Sequence, residues 1–203
     1  MTGIPGWVGG AVYGNAGAYG HSIEERIRSV RYFAAGETRT LDRAGCEFEY
    51  RESVFKRQKD WIVLGAWLDM ERADSVGLRA TAQDIRKIRD EKYPPDMRCA
   101  GSIFKNLLLK DLPESVQTHL PERVIREGKV PSAYFLEQAG AKGMECGGIR
   151  VADYHANLIY NAGGGTARDL CALIEQLKVR VRERFGLELE EEVQYVGGIA
   201  RCE

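Results

Sequence analysis

The chain has 203 residues, of which 44% are hydrophobic and 29% are charged, and its formal net charge is -1 at pH 7. A chain of this length can bury a core and is expected to form one or two domains. The near-zero net charge argues against a nucleic acid or an anionic membrane surface as the main partner, so we expect neither.

The sequence indicates a cytoplasmic protein. It has no apolar run approaching the roughly 20 residues that cross a bilayer, and its start lacks the charged and apolar regions of a signal peptide. The cysteines are odd in number and form no CxxC pair, which favours reduced thiols, mostly small core residues, over a disulfide framework or a zinc site. They are Cys46, Cys99, Cys146, Cys171 and Cys202.

Residues 2–20 read TGIPGWVGGAVYGNAGAYG and hold seven of the 23 glycines of the chain. This density predicts a loop rather than the interior of a helix or strand, with a backbone that something approaches closely. The spacing of Gly3, Gly6 and Gly9 matches neither the dinucleotide fingerprint nor the Walker A loop. A cradle of backbone N–H groups for a cofactor or phosphate is favoured, and a tight connection between strands remains the alternative.

The next part of the chain is predicted to be rich in strands. RIRSVRYF (residues 26–33) and TRTL (residues 38–41) flank AAGE, which indicates a hairpin with Gly36 in the turn. WIVLGAWLDM (residues 61–70) is a short, strongly apolar run and predicts a buried strand. The composition changes after this strand, and we place a domain boundary between Glu71 and Thr81, which gives domains 1–75 and 81–203.

Helices and strands alternate after this boundary. Residues 82–93 predict a helix that Pro94 and Pro95 end, followed by a loop around GSIFKN (residues 101–106), a helix near residues 132–139 and a strand around residues 156–160.

The clearest element is a long helix near the end of the chain. Five apolar residues fall on one helical face, namely Leu170, Leu173, Ile174, Leu177 and Val181. Thr166 and Asp169 form a predicted capping box, and Gly186 is placed to end the helix.

Several short segments contain residues able to do chemistry, and each also has a plain structural explanation. YRESVFK (residues 50–56) and GSIFKN could be ordinary surface loops, and His155 in YHAN a structural histidine. GGGT (residues 163–166) could bind an anion at a helix start or serve as a flexible turn. LELEEEVQYVGG (residues 187–198) alternates in the manner of a strand with a solvated face.

The order of the blocks is more informative than any single block. They are GIPGWVGGAVYGNAGAYG, GCEFEYRESVFK, CAGSIFKN, FLEQAGAKG, GGIRVADYHANLIYN and LELEEEV. From Gly3 to Gly197 this series resembles the UDP-N-acetylenolpyruvoylglucosamine reductase family, the MurB family of peptidoglycan synthesis. The resemblance implies an α+β chain in which the second lobe of a two-lobe FAD-binding domain precedes a C-terminal α/β substrate-binding domain. Residues 68–79 lack a tyrosine-bearing loop, as in the second type of the family.

The resemblance also implies a reaction. In the family, FAD reduced by NADPH passes a hydride to the enolpyruvyl double bond of UDP-N-acetylglucosamine enolpyruvate, and a proton completes UDP-N-acetylmuramate. Ser102 matches the serine that donates this proton. Arg51 and Glu192 match the pair that flanks the substrate carboxylate, where a planar guanidinium can bind bidentately and a glutamate must be protonated to donate a hydrogen bond.

Binding residues follow from the same match. The cofactor candidates are Ile4, Pro5, Gly6, Gly9, Gly10, Asn15 and Gly17. The substrate candidates are Tyr50, Lys105, Asn106 and His155. No metal site is implied.

Two departures from the family pattern qualify these roles. Gln194 stands where the family commonly has arginine, and the first FAD lobe, which in the family precedes the GIPG block, is missing from this sequence. We therefore expect a chain truncated within its FAD-binding domain that still derives from the enzyme. The alternative is a non-catalytic fragment that binds the UDP-sugar or another protein without flavin; a different flavoprotein oxidase of the same superfamily would not explain AGSIFKN and LELEEEV together.

Overall fold

The structure is a computed structural model that describes residues 2–197. It divides into two compact units, Met1–Pro94 and Pro95–Glu203, each with its own hydrophobic core. Both units combine helices with antiparallel strands, which confirms the predicted α+β class. The division falls after the helix that precedes Pro94, whereas the sequence placed the boundary before it, so the position of the domain boundary stays a prediction.

The first unit is built around a three-stranded antiparallel sheet in the order β4-β3-β5. Its elements are α1 (Val8–Tyr13), β1 (Gly17–Ala18), β2 (His21–Ser22), a 3-10 turn (Ile23–Arg26), β3 (Ile27–Ala34), β4 (Glu37–Asp42), α2 (Val54–Arg57), β5 (Ile62–Leu68) and α3 (Ser75–Lys92). The predicted hairpin is confirmed, since β3 and β4 pair antiparallel up to Ala34 and Glu37. Ala35 and Gly36 both have positive φ values, +50° and +82°, as a two-residue hairpin turn of the primed type requires.

The prediction of a loop throughout residues 2–20 is wrong at α1. Gly9 and Gly10 lie inside this short helix although each costs roughly 1 kcal/mol relative to alanine. Val12 on the same helix is fully buried among the core side chains of the sheet, and burial of a valine contributes about 1.5–3 kcal/mol. Tertiary packing therefore offsets the poor helix propensity of the segment.

The prediction of a buried strand over residues 61–70 is right about the strand and wrong about its burial. β5 lies at the edge of the sheet, and the exposed fractions of Ile62, Leu64 and Trp67 are 58%, 48% and 47%. Val63 and Ala66 pack against the core instead. A sheet with one packed face leaves alternate side chains outside, even when the whole strand is apolar.

The second unit packs two helices on a four-stranded antiparallel sheet in the order β6-β11-β10-β9. Its elements are β6 (Cys99–Ser102), β7 (Leu107–Leu108), a 3-10 turn (Leu109–Asp111), α4 (Glu114–Gln117), a second 3-10 turn (Glu122–Val124), β8 (Lys129–Val130), α5 (Ser132–Gln138), β9 (Glu145–Cys146), β10 (Ile149–Ala152), β11 (His155–Asn161) and α6 (Ala167–Phe185). The predicted helix near residues 132–139 and the strand around residues 156–160 are confirmed as α5 and β11.

The long helix has the predicted face and ends. Leu173, Ile174, Leu177 and Val181 are buried in the core. Thr166 Oγ accepts a hydrogen bond from the Asp169 N–H, and the Asp169 carboxylate accepts from the Thr166 N–H at 2.8 Å, so the capping box is present. Gly186 adopts φ +66° directly after the helix.

Two other predictions need adjustment. The helix predicted over residues 82–93 begins earlier, at Ser75, because the Asp74 carboxylate caps it by accepting from the N–H groups of Val76 and Gly77. The predicted loop around residues 101–106 begins only after Ser102, because this residue pairs with Leu158 in the sheet.

The acidic segment beginning at Leu187 alternates as predicted without forming a continuous strand, and its residue 198 lies outside the described residues. Leu187 and Leu189 are buried, whereas Glu188 and Glu190 are exposed. Its one bridge within the described range joins Glu191 to Phe104.

Cysteine 202 also lies outside the described residues, and the other four cysteines are free thiols, two of them buried. Over residues 2–197 there is no cluster of His, Cys, Asp and Glu able to hold a metal ion. Within the same range, no helix has the length and apolar character needed to span a bilayer.

The helix cap of α6 provides a first test. Thr166→Ala removes the acceptor for the Asp169 N–H, and we expect the second unit to lose about 1 kcal/mol of unfolding free energy. Urea unfolding measures the loss. Thr118→Ala is the matched control, because Thr118 is exposed and surface substitutions stay within about 0.5 kcal/mol; equal losses in the two variants would argue against the cap.

A second test uses pH. Burial, with the nearby Asp42 carboxylate, raises the pKa of the Cys46 thiol to about 11, against roughly 8.5 for an unfolded cysteine. The folded state therefore holds the proton longer, so this contribution to stability is present below pH 8.5 and is lost as pH rises to about 11.

Urea unfolding of the wild type and of Cys46→Ala at pH 7, 8.5 and 10 measures this effect. The unfolding free energy of the wild type should fall by about 1–2 kcal/mol more than that of the variant between pH 7 and pH 10. Parallel pH curves for the two proteins would contradict the raised pKa.

Candidate functional site

In the first unit, Arg51 is held in an unusual backbone conformation. Its φ of +60° lies in the left-handed region, which few residues other than glycine adopt. Lys56 Nζ donates a hydrogen bond to the Arg51 carbonyl at 2.9 Å and forms an ion pair with Glu52 at 2.9 Å. These contacts with the following residues of the same segment fix the backbone from which the guanidinium extends.

The guanidinium itself is also positioned. Arg51 Nη2 donates to the Gly17 carbonyl at 2.9 Å, and the guanidinium carbon lies 5.4 Å from the centre of the Tyr50 ring. Gly17 leaves no room for a side chain, because a Cβ there would lie 2.6 Å from the His21 carbonyl oxygen and 3.3 Å from Arg51 Nη1. The structure therefore brings Tyr50, Arg51 and Gly17 together.

Two buried polar side chains tie the segment around Arg51 to the glycine-rich segment. Asn15, with 3% of its surface exposed, donates to the Glu49 carbonyl at 2.8 Å. Ser53 caps α2 and donates to the Tyr13 carbonyl at 2.7 Å. These contacts give Asn15 a structural role, whereas its predicted contact with the cofactor stays a prediction.

The other cofactor candidates lie at the start of the chain and in α1. Gly6 has a φ of +143°, and a Cβ added at Gly6 or at Gly10 would meet nothing within 4 Å. Pro5, Gly6 and Gly10 are exposed, whereas Ile4 and Gly9 are half-buried. The exposed backbone at Gly6 and Gly10 leaves room for the close approach of a flat ring system, whereas contact with flavin stays a prediction.

In the second unit, the loop after Ser102 is held by one buried asparagine. Asn157 Oδ1 accepts hydrogen bonds from the N–H groups of Ile103 at 3.2 Å and Phe104 at 2.9 Å. Asn157 Nδ2 donates to the Phe104 carbonyl and to Ser132 Oγ, both at 2.8 Å. Ile103 and Phe104 place their own side chains in the core.

The acidic segment runs along the other side of this loop. The Lys105 N–H donates to the Glu190 carbonyl at 2.8 Å, and the Glu192 N–H donates to the Ile103 carbonyl at 2.7 Å. Glu192 therefore lies beside the peptide between Ile103 and Phe104, one residue beyond Ser102. The structure brings these two predicted catalytic residues onto adjacent segments of one unit.

The remaining substrate candidates belong to the same unit. The Lys105 side chain is 8% exposed and its ammonium forms an ion pair with the Glu190 carboxylate, whose side chain is 69% exposed. His155 begins β11 at the bulge opposite Ala152, and Asn106 is half-buried at the end of the loop. Substrate contacts of all three stay predictions.

Sequence reasoning missed Asn157 and Ser132. A signal was present in HANLI, because asparagine is depleted in strands and this one stands in an otherwise apolar run. A polar side chain in a buried strand needs partners, so such a position predicts a specific hydrogen-bonding role. The hydrogen-bond partners of Asn157 lie 25 or more positions away in the sequence, so they could be identified only from the structure.

Comparison with known proteins agrees with the resemblance. Residues 93–196 match the family model described as "UDP-N-acetylenolpyruvoylglucosamine reductase, C-terminal domain". A relative named UDP-N-acetylenolpyruvoylglucosamine reductase from Solibacter usitatus (strain Ellin6076) is 66% identical over 97% of this chain and 63% of its own length. A relative of the same name from Bacillus subtilis (strain 168) is 34% identical over 97% of this chain and 59% of its own.

The fold has a counterpart of known structure. The crystal structure of UDP-N-acetylenolpyruvylglucosamine reductase (MurB) from Thermus caldophilus aligns with a TM-score of 0.70 over 95% of this chain and 61% of that chain, at 24% sequence identity. This likeness supports the α+β architecture. The fold therefore places the chain in the α+β class, with an architecture like that of this crystal structure.

The family match makes the assignment specific. The chain belongs to the UDP-N-acetylenolpyruvoylglucosamine reductase (MurB) family. It spans about three fifths of the length of the curated relatives that it matches.

The packing around Gly17 gives a test of the first unit. Gly17→Ala should destabilise this unit by about 1–3 kcal/mol, because the new Cβ collides with the His21 carbonyl. Gly10→Ala is the control, since it adds a methyl group in open space within a helix and should stabilise by up to about 1 kcal/mol. Urea unfolding without flavin measures both, and an equal effect of the two substitutions would refute the close approach.

Proposed function

We propose that this chain functions in the flavin-dependent reduction of UDP-N-acetylenolpyruvoylglucosamine to UDP-N-acetylmuramate, with NADPH as reductant, a step of peptidoglycan precursor synthesis. The observation that carries this proposal is the 66% identity, over 97% of the chain, to a relative with that enzyme name. The adjacent placement of the segments that bear Ser102 and Glu192 supports it.

The cofactor is proposed to be FAD, held in the first unit by the backbone of the glycine-rich segment. The holding residues would be Ile4, Pro5, Gly6, Gly9, Gly10, Asn15 and Gly17. When bound, the flavin supplies a hydride to the enolpyruvyl double bond. Substitution of Gly6 by any residue with a side chain would be strained by its φ of +143°, whatever the space nearby.

Ser102 is proposed to give a proton from its hydroxyl to the substrate carbon next to the one that receives the hydride. A serine hydroxyl is a poor acid in water, so it needs a fixed position and polar neighbours to act as a proton donor. The loop after Ser102 meets the first condition, because Asn157 and the acidic segment hold its backbone from two sides. Glu192, when protonated, would donate a hydrogen bond to the substrate carboxylate.

Arg51 is proposed to bind the same carboxylate with its planar guanidinium. Charge on that group grows as the double bond is reduced, and a bidentate guanidinium stabilises it more than a point charge would. The hydrogen bond to Gly17 and the contact with the Tyr50 ring orient the guanidinium before substrate arrives. Substrate binding is further assigned to Tyr50, Lys105, Asn106 and His155.

A second candidate function is a fragment that binds the UDP-sugar, or another protein, without redox chemistry. The observation that supports it is the family model matched by residues 93–196, which is that of a C-terminal domain. The two functions differ in one measurable property, which is bound flavin. A yellow protein that oxidises NADPH when the enolpyruvyl sugar is added supports the reductase, whereas a colourless protein that binds the sugar supports the fragment.

A mutation tests the role of Ser102 within the reductase proposal. In Ser102→Ala we expect flavin reduction by NADPH to stay at the wild-type rate, because no proton is delivered to the sugar in that half-reaction. Reoxidation of the flavin by the sugar should slow on the order of 10²–10⁴-fold, the usual contribution of a general acid. Stopped-flow absorbance of the flavin measures both rates.

The control is Ser115→Ala, because Ser115 is an exposed serine in α4 of the same unit. This variant should keep both rates. If Ser102→Ala slowed both half-reactions equally, the loss would be structural and the proton-donor role would be refuted.

A further inference from the structure

The Asn157 side chain makes four hydrogen bonds inside the second unit. It is 2% exposed, its Oδ1 accepts two hydrogen bonds and its Nδ2 donates two. An asparagine amide has two donor hydrogens and two acceptor positions, so this side chain uses its full capacity. Such a fully bonded amide has one allowed orientation, and its partners are equally fixed.

All of these bonds but one go to the peptides that follow Ser102. The Ile103 N–H is shared between the backbone oxygen and the side-chain oxygen of Asn157, both at 3.2 Å. Phe104 is bonded through both its N–H and its carbonyl. The backbone directly after Ser102 therefore cannot rotate without breaking buried hydrogen bonds, which is costly where water is excluded.

The fourth bond locks the amide itself. Ser132 is fully buried, accepts from Asn157 Nδ2 at 2.8 Å and donates to the Phe104 carbonyl at 3.3 Å. The Asn157 amide, the Ser132 hydroxyl and the Phe104 carbonyl thus form a closed set of hydrogen bonds. Ser132 makes one of its bonds to the loop and Asn157 makes three, so a change at Ser132 should weaken the loop less than a change at Asn157.

The same loop also carries the backbone of Glu192. The Ile103 carbonyl accepts from the Glu192 N–H at 2.7 Å, and Ile103 is bonded to Asn157 on its N–H side. The peptide between Ile103 and Phe104, whose N–H donates to Asn157 Oδ1 and whose carbonyl accepts from the Glu192 N–H, therefore links the segment of Ser102 to the segment of Glu192. Asn157 acts on both from a position in β11, without being assigned any contact with substrate.

We propose that Asn157 is a positioning residue, which sets the loop of Ser102 for proton donation and, through Ile103, the backbone of Glu192. This inference rests on the proposed function, which it deepens by naming a residue that controls its proton-transfer step. Misplacement of a reacting group by about 1 Å costs roughly 100-fold in rate, so loss of this anchor should affect rate more than stability alone would explain.

The chain offers a matched control in the same strand. Asn161 ends β11 and its amide makes three bonds in the glycine turn before α6, accepting from the N–H groups of Gly163 and Gly165 and donating to the Gly165 carbonyl. Its bonds resemble those of Asn157 in number and kind but involve no residue of the proposed site. A purely structural effect of losing an asparagine amide should therefore appear equally in both positions.

The experiment compares Asn157→Asp and Asn161→Asp with the wild-type chain purified with FAD. An aspartate keeps the shape and the acceptors but loses both donors when ionised. In Asn157→Asp, flavin reoxidation at saturating enolpyruvyl sugar should slow roughly 100-fold at pH 7, while flavin reduction by NADPH stays unchanged. The rate should recover as the pH is lowered, because a protonated aspartic acid can donate again. Asn161→Asp should keep both rates.

Amide hydrogen exchange separates failure of this inference from failure of the proposed function. Alanine at position 157 removes the side-chain acceptor that an aspartate keeps, so the Phe104 amide should lose protection in Asn157→Ala and keep it in Asn161→Ala, with or without turnover. A wild-type chain that never reduces the sugar overturns the proposed function, and unchanged protection of the Phe104 amide in Asn157→Ala then overturns the anchoring as well. With an active wild type, equal rates in the two asparagine variants overturn the positioning role.

Discussion

The candidate site of the second unit depends on one constraint, which is that the buried peptides after Ser102 must have all their polar groups bonded. Ile103 and Phe104 point into the core, so their N–H and carbonyl groups cannot rely on water. They find partners on two sides, in the Asn157 amide and in the acidic segment. Ser102 and Glu192 are neighbours because these two sets of partners meet at the same peptides.

In the first unit, the segment around Arg51 combines a buried amide, that of Asn15, with backbone strain. Arg51 is held with φ at +60°, a conformation that costs of order 1–3 kcal/mol for a residue with a side chain. The bond from Lys56 to its carbonyl and the bond from its guanidinium to Gly17 offset this cost. An outlier of this kind at a proposed functional residue is a frequent feature of binding and catalytic sites.

Much of the fold could be predicted because its signals are local. The apolar face of α6 and the turn at Gly36 are set by residues close in the sequence, and both predictions were confirmed. The helix at Val8–Tyr13 and the exposure of Ile62 could not be predicted in this way. Each depends on which side of the helix or strand the rest of the chain covers. The candidate residues came from resemblance; the hydrogen bonds of Asn157 required the structure.

Two kinds of side-chain interaction hold the Ser102 loop, the Lys105–Glu190 ion pair and the hydrogen bonds of Asn157. Their burial determines which contributes more. The ion pair of Lys105 with Glu190 joins the loop to the acidic segment; the Lys105 side chain is 8% exposed, but the carboxylate is 69% exposed, so water and salt screen the pair. The Asn157 bonds are neutral and buried, so breaking them leaves groups unsatisfied, at about 1–3 kcal/mol each. The Asn157 amide therefore contributes more to the conformation of the loop than this ion pair does.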